Sequence, residues 1–379
     1  MTTFRQAFEQ EIARLVRDRL DLALLLLMPA ICLSLIGGML SSGNPHGLGV
    51  VVVDQDGTPV SRQIIHAIDA VDAVRVVAVG SNLADAFAQV RQEKAIAVVV
   101  LPAGIAAARV ASSQPRVEIF YQTAFLSTGA TASLRLQAVI AAELAAVAPR
   151  LAGLPGAAFV RAPLPGVEVT IFGNPGASLE WYLGLLIGPA FLHLLVGVTS
   201  IGSLGKELEQ GSLIPWARRV RAPAPVLIGR LLPHIVIGTI WLALWFGWLT
   251  LGQGYRFGGS LGLVIIGGAF FFAATAAIST LLVSALGEVS TCLSATVIYA
   301  GSALAYSGAS LPLNGGMLLV RLWSAALPLT HFVALEFDQT TEVLFSVWLR
   351  QASVLLLITL LAGGGAVALL NRRPRRAAA

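Results

Sequence analysis

The sequence predicts a membrane protein of the α-helical class. It has six transmembrane helices, an α/β extracytoplasmic domain inserted after the first, and an N-terminal amphipathic interfacial helix. Three observations predict this. The apolar run Leu22–Leu40 stands alone and is long enough to cross a bilayer. Residues 41–176 then read as ordinary soluble sequence, and dense hydrophobicity resumes after Asn174 almost to the C-terminus. The chain is 56% hydrophobic and only 12% charged, with mean hydropathy +0.80, whereas a soluble domain carries about 25% charge.

Residues 1–21 place Phe4, Phe8, Ile12, Leu15 and Val16 at helical spacing, with Arg5, Gln6, Glu9, Gln10, Arg14, Arg17 and Asp18 on the other side. An amphipathic stretch abutting a span predicts a helix lying in the membrane interface. It serves either as a topology anchor or as an elbow that a partner pushes. The first span, residues 22–40, reads as an uncleaved signal anchor, because its apolar core is longer than that of a signal peptide.

Residues 41–176 alternate strand and helix patterns. Gly49–Val53 is a buried strand ending in the turn Asp54-Gln55-Asp56-Gly57. Ser61 reads as the cap of a helix over Arg62–Val71, and Asn82 as the cap of another over Leu83–Gln92. Val74–Val79, Ala95–Leu101 and Val117–Tyr121 supply further strands, and Leu134–Ala148 a last helix. The alternation predicts a mixed sheet covered by helices. No nucleophile, base or carboxylate pair sits at a diagnostic offset; the domain's histidines are His46 and His66. Asp54 and Asp56 read as a turn, because the later oxygen ligands of a calcium loop are missing.

Residues 177–379 predict five more spans: Tyr182–Leu204, Pro225–Leu251, Leu261–Leu286, Ser290–Leu311 and Ala352–Leu370. Gly287-Glu288-Val289 makes a tight hairpin between the third and fourth of these. Residues 312–350 carry Pro312, Gly315, Gly316 and Pro328 among Leu, Met, Trp and Phe, too broken for a span and too apolar for a free loop. Short helices dipping in from the outer face satisfy this; an interfacial loop anchored by Trp323 and Trp348 is the alternative.

Positive charge sets the orientation. Arg5, Arg14, Arg17 and Arg19 precede the first span; Lys206, Arg218, Arg219, Arg221 and Arg230 flank the loop 205–224; Arg372, Arg373, Arg375 and Arg376 end the chain. The opposite short loops hold only Arg256, Arg321 and Arg350. Both termini and the loop 205–224 are therefore expected in the cytoplasm. The net charge of +5 belongs to this asymmetry and not to nucleic acid. Cys32 and Cys292 both lie in apolar runs and read as packed thiols. Polar groups within the spans are few: His193, Tyr299 and Tyr306, with Glu288 at a turn. They are candidates to line a translocation path, and a path of Ala, Gly, Ser, Thr and aromatics suits amphiphilic or apolar cargo.

The chain resembles the permease subunits of ABC-2 type exporters, in particular long bacterial members with a large periplasmic domain. Local matches are Val51-Val52-Val53-Asp54-Gln55-Asp56 followed by Ser61-Arg62, Ala97–Gly104, Asn174-Pro175, Trp181-Tyr182, and Ser307-Gly308 with Leu311-Pro312 and Leu327–His331. The most telling is Lys206-Glu207-Leu208-Glu209-Gln210-Gly211-Ser212, which is similar to the family's coupling loop. The departure is Leu213–Arg219, where the family often has an acidic residue and Ser-Pro. The resemblance implies that Lys206, Glu207, Glu209, Gly211 and Ser212, with the Phe4, Phe8, Ile12 helix, dock a cytoplasmic ATP-binding cassette ATPase. It implies a second permease copy or a homologous permease, a bacterial inner (plasma) membrane location and a periplasmic membrane-fusion adaptor on the outer domain. No cofactor belongs to this chain, and ATP and magnesium sit on the partner, since no G-x-x-x-x-G-K-[ST] loop occurs here.

Three rivals differ in what they require. A secondary transporter needs repeated halves and buried charges, and none stands out. A membrane enzyme needs a nucleophile or metal set. A non-transporting scaffold or receptor, whose outer domain binds a partner, needs no coupling loop.

Overall fold

The computed structural model describes residues 4–41, 47–92, 94–105, 117–121, 126–152, 174, 178–209, 223–310, 317–341 and 345–372. In chain order the elements are α1 (Phe4–Arg17), α2 (Arg19–Leu40), β1 (Leu48–Asp54), α3 (Pro59–Asp69), β2 (Val74–Gly80), α4 (Leu83–Arg91), β3 (Ala97–Leu101), β4 (Glu118–Tyr121), α5 (Leu126–Ala152), α6 (Leu179–Glu209), α7 (Pro223–Gly252), α8 (Leu261–Leu286), α9 (Val289–Ala303), α10 (Leu318–Ala326), α11 (Pro328–Thr340) and α12 (Phe345–Arg372). Two compact units divide the chain: Ser42–Thr170, and Met1–Ser41 with Ile171–Ala379.

The first of these units is built on one sheet of order β2-β1-β3-β4. β1 pairs parallel with β2 and β3, and β4 pairs antiparallel with β3. The valine run of β1 is buried on both faces, as a covered parallel strand requires. Val50 and Val52 face Ile64 and Ile68 of α3 and Leu136 and Ile140 of α5, while Val51 and Val53 face Ala86 of α4. Asn82 caps α4 by accepting from the Ala84 amide. The cap of α3 is Thr58, not the expected Ser61: Thr58 Oγ1 accepts from the Ser61 amide, and the helix starts at Pro59. Proline belongs at a first helical position because it has no N–H to satisfy. Ser61 instead donates to Asp54 Oδ2 at 2.9 Å. Asp54 Oδ1 accepts from the amides of Asp56 and Gly57, and Asp56 accepts from the Gly104 amide. These carboxylates hold a turn.

The second unit is helical. α2, α6, α7, α8 and α12 are long and apolar enough to cross a membrane, and the count reaches six if the bent pair α10–α11 is one span. α6 is the most buried of them, while α2 and α12 are largely exposed. The core is aromatic: Phe271 stacks on Phe332 with ring centroids 4.8 Å apart, and Trp245 and Phe246 pack with Trp181 and Leu185. Small residues permit the close approaches, as at Gly268, where an added Cβ would sit 2.2 Å from Leu242.

One expected span is corrected. Ser290–Leu311 does not form a single crossing helix, because α9 has 15 residues and ends at Ala303, about 22 Å of helix. The chain then turns through Ser307 and Gly308, whose φ of 84° is open to glycine at no cost. The short helices expected within 312–350 are present as α10 and α11, bent by 78°. Pro328 opens α11 and Leu327 before it is extended, with φ −87° and ψ 123°, because the proline ring excludes a helical residue at that position.

Candidate functional site

The site is assembled where α1 lies on α7. The buried face of α1 is Ala7, Glu11 and Leu15, at i, i+4 and i+8. Gly229 lets the two backbones touch: a Cβ there would lie 2.5 Å from the Phe4 carbonyl oxygen and 3.1 Å from the Ala7 Cβ. Glu11 Oε1 accepts from Arg14 Nε at 3.0 Å and faces His234 Nε2 at 3.1 Å, with Glu11 and His234 both sealed from solvent. Burial alone would raise the Glu11 carboxyl, but His234 and Arg14 outweigh it and hold it below the usual carboxylate range. The ionised carboxylate only accepts, so the hydrogen sits on His234 Nε2. Arg14 also pairs with Asp21 at the start of α2. Asp21 in turn lies close to α6, where a Cβ added at Gly202 would sit 3.3 Å from its carboxylate oxygens.

A second tie lies one turn towards the N-terminus of α7. Arg230 pairs with Glu207 at 2.6 Å and donates to the Ser203 carbonyl at 2.9 Å. The two helices that enter and leave the loop 205–224 are thereby joined. Glu288 precedes α9 at its N-cap position without a capping hydrogen bond to its side chain, and a Cβ added at Gly205 would lie 3.5 Å from Val289. The Glu288 oxygens accept from Ser290 and Thr291, which holds the carboxyl below its usual range.

The structure treats the sequence candidates differently. Glu207 turns inward to Arg230, and Glu209 is exposed. Lys206 lies in α6 without a described side chain, and Gly211 and Ser212 lie outside the described residues. Phe4 and Ile12 are exposed and Phe8 half-buried, so the apolar stripe of α1 faces away from α7. His193 is fully buried and packs on Phe271 and Tyr299. Its Nδ1 is 2.8 Å from Thr275 Oγ1. Thr275 spends its own hydrogen on the Phe271 carbonyl, so it accepts from His193 Nδ1–H. Tyr306 is half-buried against the same core, and its carbonyl accepts from Ser324 and Thr330.

Sequence reading missed several buried polar groups. Glu11 was assigned to neither side of the amphipathic pattern, and His234 lies 223 positions away. Glu336 is fully buried, and neither carboxylate oxygen has a hydrogen-bond partner among the described residues. Glu180 accepts from Tyr255 at 2.6 Å; burial and this carboxylate hold the Tyr255 hydroxyl above its usual range. The signal that finds His234 and Glu336 is a lone acid or histidine inside an apolar helix.

Two apolar grooves open sideways. One of about 580 Å³, between α2 and α7, is lined by Trp241, Trp245, Trp248 and Gly37. Another of about 510 Å³ runs between α7, α8 and α12, past Ile228, Ala277 and Gly364.

A helical unit with five to six candidate spans, its N-terminal helix bound to a span by buried charges, defines a multi-pass membrane protein. Residues 21–369 match the model of the ABC-2 family transporter protein, and the chain belongs to that family. It is thus the membrane component of an ABC transporter, a class that works with an ATP-binding cassette partner. The chain is also similar to the fluoride-specific ion channel FluC of Aromatoleum aromaticum (strain DSM 19018 / LMG 30748 / EbN1), 35% identical over 111 residues, 26% of this chain and 83% of that protein. No solved structure matches.

Proposed function

We propose that this chain is the permease half of an ATP-driven exporter that moves an amphiphilic or apolar substrate, drug-like or lipid-like, out of the cytoplasm or inner leaflet. It sits in the bacterial inner membrane with both termini in the cytoplasm, and Ser42–Thr170 is an extracytoplasmic domain that offers a surface to a periplasmic adaptor. Two copies, or this chain and a similar permease, enclose the path. The ATPase partner binds ATP and magnesium and docks on loop 205–224 and on α1, which lies in the interface.

The Glu11–His234 contact carries this reading. It makes α1 and α7 one body, since a buried charge pulled from its partner costs about 3–5 kcal/mol. Arg230 extends that body to the end of α6 through Glu207 and Ser203. Closure of the ATPases pushes α1 and the loop ends. The push reaches α6 and α7, and α6 presses His193 on α8 and α9. The lateral grooves beside α7 suit cargo that arrives from lipid. Fluoride conduction stays with FluC, because that likeness spans 26% of this chain and the family model spans nearly all of it.

The experiment is co-purification of the tagged chain from native membranes in mild detergent. Because Glu207 is engaged inside, the exposed Glu209 is the position to reverse. A stoichiometric ATPase with the wild type, reduced severalfold with Glu209→Lys, supports the docking. A clean preparation with no ATPase and a folded outer domain would sink it and promote the scaffold reading.

A further inference from the structure

The bent pair carries an arrangement that the transport reading does not use. A crevice of about 430 Å³ between α10, α11 and α12 is lined by Arg321, Ser324, Thr330, His331, Arg350 and Gln351. Both arginines are exposed. Neither has a salt-bridge partner among the described residues; Asp338 attracts Arg350 only at longer range. The other polar groups are already committed and shape the walls. His331 Nδ1 lies 3.1 Å from Gln351 Oε1, and its Nε2 lies 2.9 Å from the Ala325 carbonyl. Ser324 and Thr330 both donate to the Tyr306 carbonyl, which pins the bend to the end of α9.

The surroundings of the crevice are apolar. Leu318 is 69% and Leu319 76% exposed on α10, with Leu322 and Trp323 beside them and Phe345 and Leu349 exposed on α12. An amphipathic helix with this face lies at the boundary of headgroup and acyl chain. Two guanidiniums rising from such a surface meet phosphate before any other anion. Their planar forks match phosphate oxygens in pairs, and they are weakly hydrated, so desolvation costs them little.

We propose that this crevice binds the phosphate of an anionic phospholipid, with Arg321 and Arg350 on its oxygens and the acyl chains over Leu318, Leu319, Leu322 and Trp323. The bound headgroup joins α10 to α12 across the 78° bend and braces the pair. The site is independent of ATPase docking.

The test uses the full chain in nanodiscs of phosphatidylcholine, alone or with phosphatidylglycerol, and reads the thermal unfolding midpoint. Phosphatidylglycerol should raise the midpoint of the wild type by about 3 °C. The rise should vanish in R321Q+R350Q, whose midpoint in phosphatidylcholine should equal that of the wild type. It should persist in R75Q+R91Q, which removes the same charge from exposed positions in the sheet unit. No rise in the wild type, a rise kept by R321Q+R350Q, or equal loss in both pairs overturns the site. Inorganic phosphate added to phosphatidylcholine discs should do nothing; a matching rise would overturn the lipid source in favour of soluble phosphate. If the glutamine pair folds poorly, R321K+R350K keeps the charge but loses the forks. Native mass spectrometry should then find retained phosphatidylglycerol reduced about tenfold, and full retention overturns the proposal.

Discussion

Glu11 carries more of this molecule than its place in the sequence suggests. It is an acid on a helix that the apolar pattern assigns to the membrane surface, yet it is sealed between Arg14 and His234. Its carboxyl is held below the usual range, so its charge stabilises the fold above the ordinary carboxylate value. That stability is lost as pH falls through the depressed one. The wild-type unfolding midpoint should therefore hold from neutral pH to about pH 5 and drop progressively below about pH 4. Glu11→Gln should start lower at neutral pH, by about 1–3 kcal/mol, and fall less on acidification. Parallel profiles for the two proteins would remove Glu11 from the acid response. A cycle of Glu11→Gln, His234→Gln and the double variant isolates the pair: contact predicts a coupling of about 0.5–3 kcal/mol, and additivity denies it. None of this was legible beforehand, because a pattern of spacing reports which side of a helix is apolar and not whether an acid beside that stripe meets a histidine in a distant span.

At the scale of elements, legibility followed the strength of local physics. The valine runs of β1 and β3 and the Asn82 cap stand where the sequence put them, since β-branched runs and asparagine caps act over a few residues. The span expected at Ser290–Leu311 failed because hydropathy does not register a turn made of small residues. The bend at Leu327 was legible because proline enforces it. The contact of α1 on α7 was not, although Gly229 marks it. Gly229→Ala should strain that contact, with a cost of about 1–3 kcal/mol, and free α1 to limited proteolysis. Gly247→Ala, in the same helix with nothing within 4 Å of the added Cβ, should instead be neutral or gain about 0.5–1 kcal/mol from helix propensity. Equal effects of the two would mean that α1 does not bear on Gly229. If α1 is the lever of transport, Gly229→Ala should also lower cargo moved per ATP hydrolysed, while Gly247→Ala leaves that ratio intact.

For the whole molecule, the decisive question is which groups share a side of the membrane. Apolar runs and charge asymmetry were both written in composition, so five of the six expected spans have counterparts and the family's architecture was readable without a single long motif. Side is different, because it rests on arginines whose effect is topogenic rather than structural. It follows that α7 should have its ends on opposite sides: the loop that leads into Pro223 faces the cytoplasm, and the loop after Gly252 faces out. A background of Cys32→Ser and Cys292→Ala, with single cysteines at exposed positions, reads this directly. In intact spheroplasts a membrane-impermeant maleimide should label Arg256→Cys and Asp72→Cys, and should reach Glu209→Cys and Glu288→Cys only after permeabilisation. Labelling of Glu209→Cys from outside would reverse the orientation and remove the ATPase from loop 205–224. Labelling of Asp72→Cys only after permeabilisation would put the sheet unit on the ATPase side. The adaptor would then have no surface to meet, whereas the buried tie between α1 and α7 would stand, since it depends on contact and not on side.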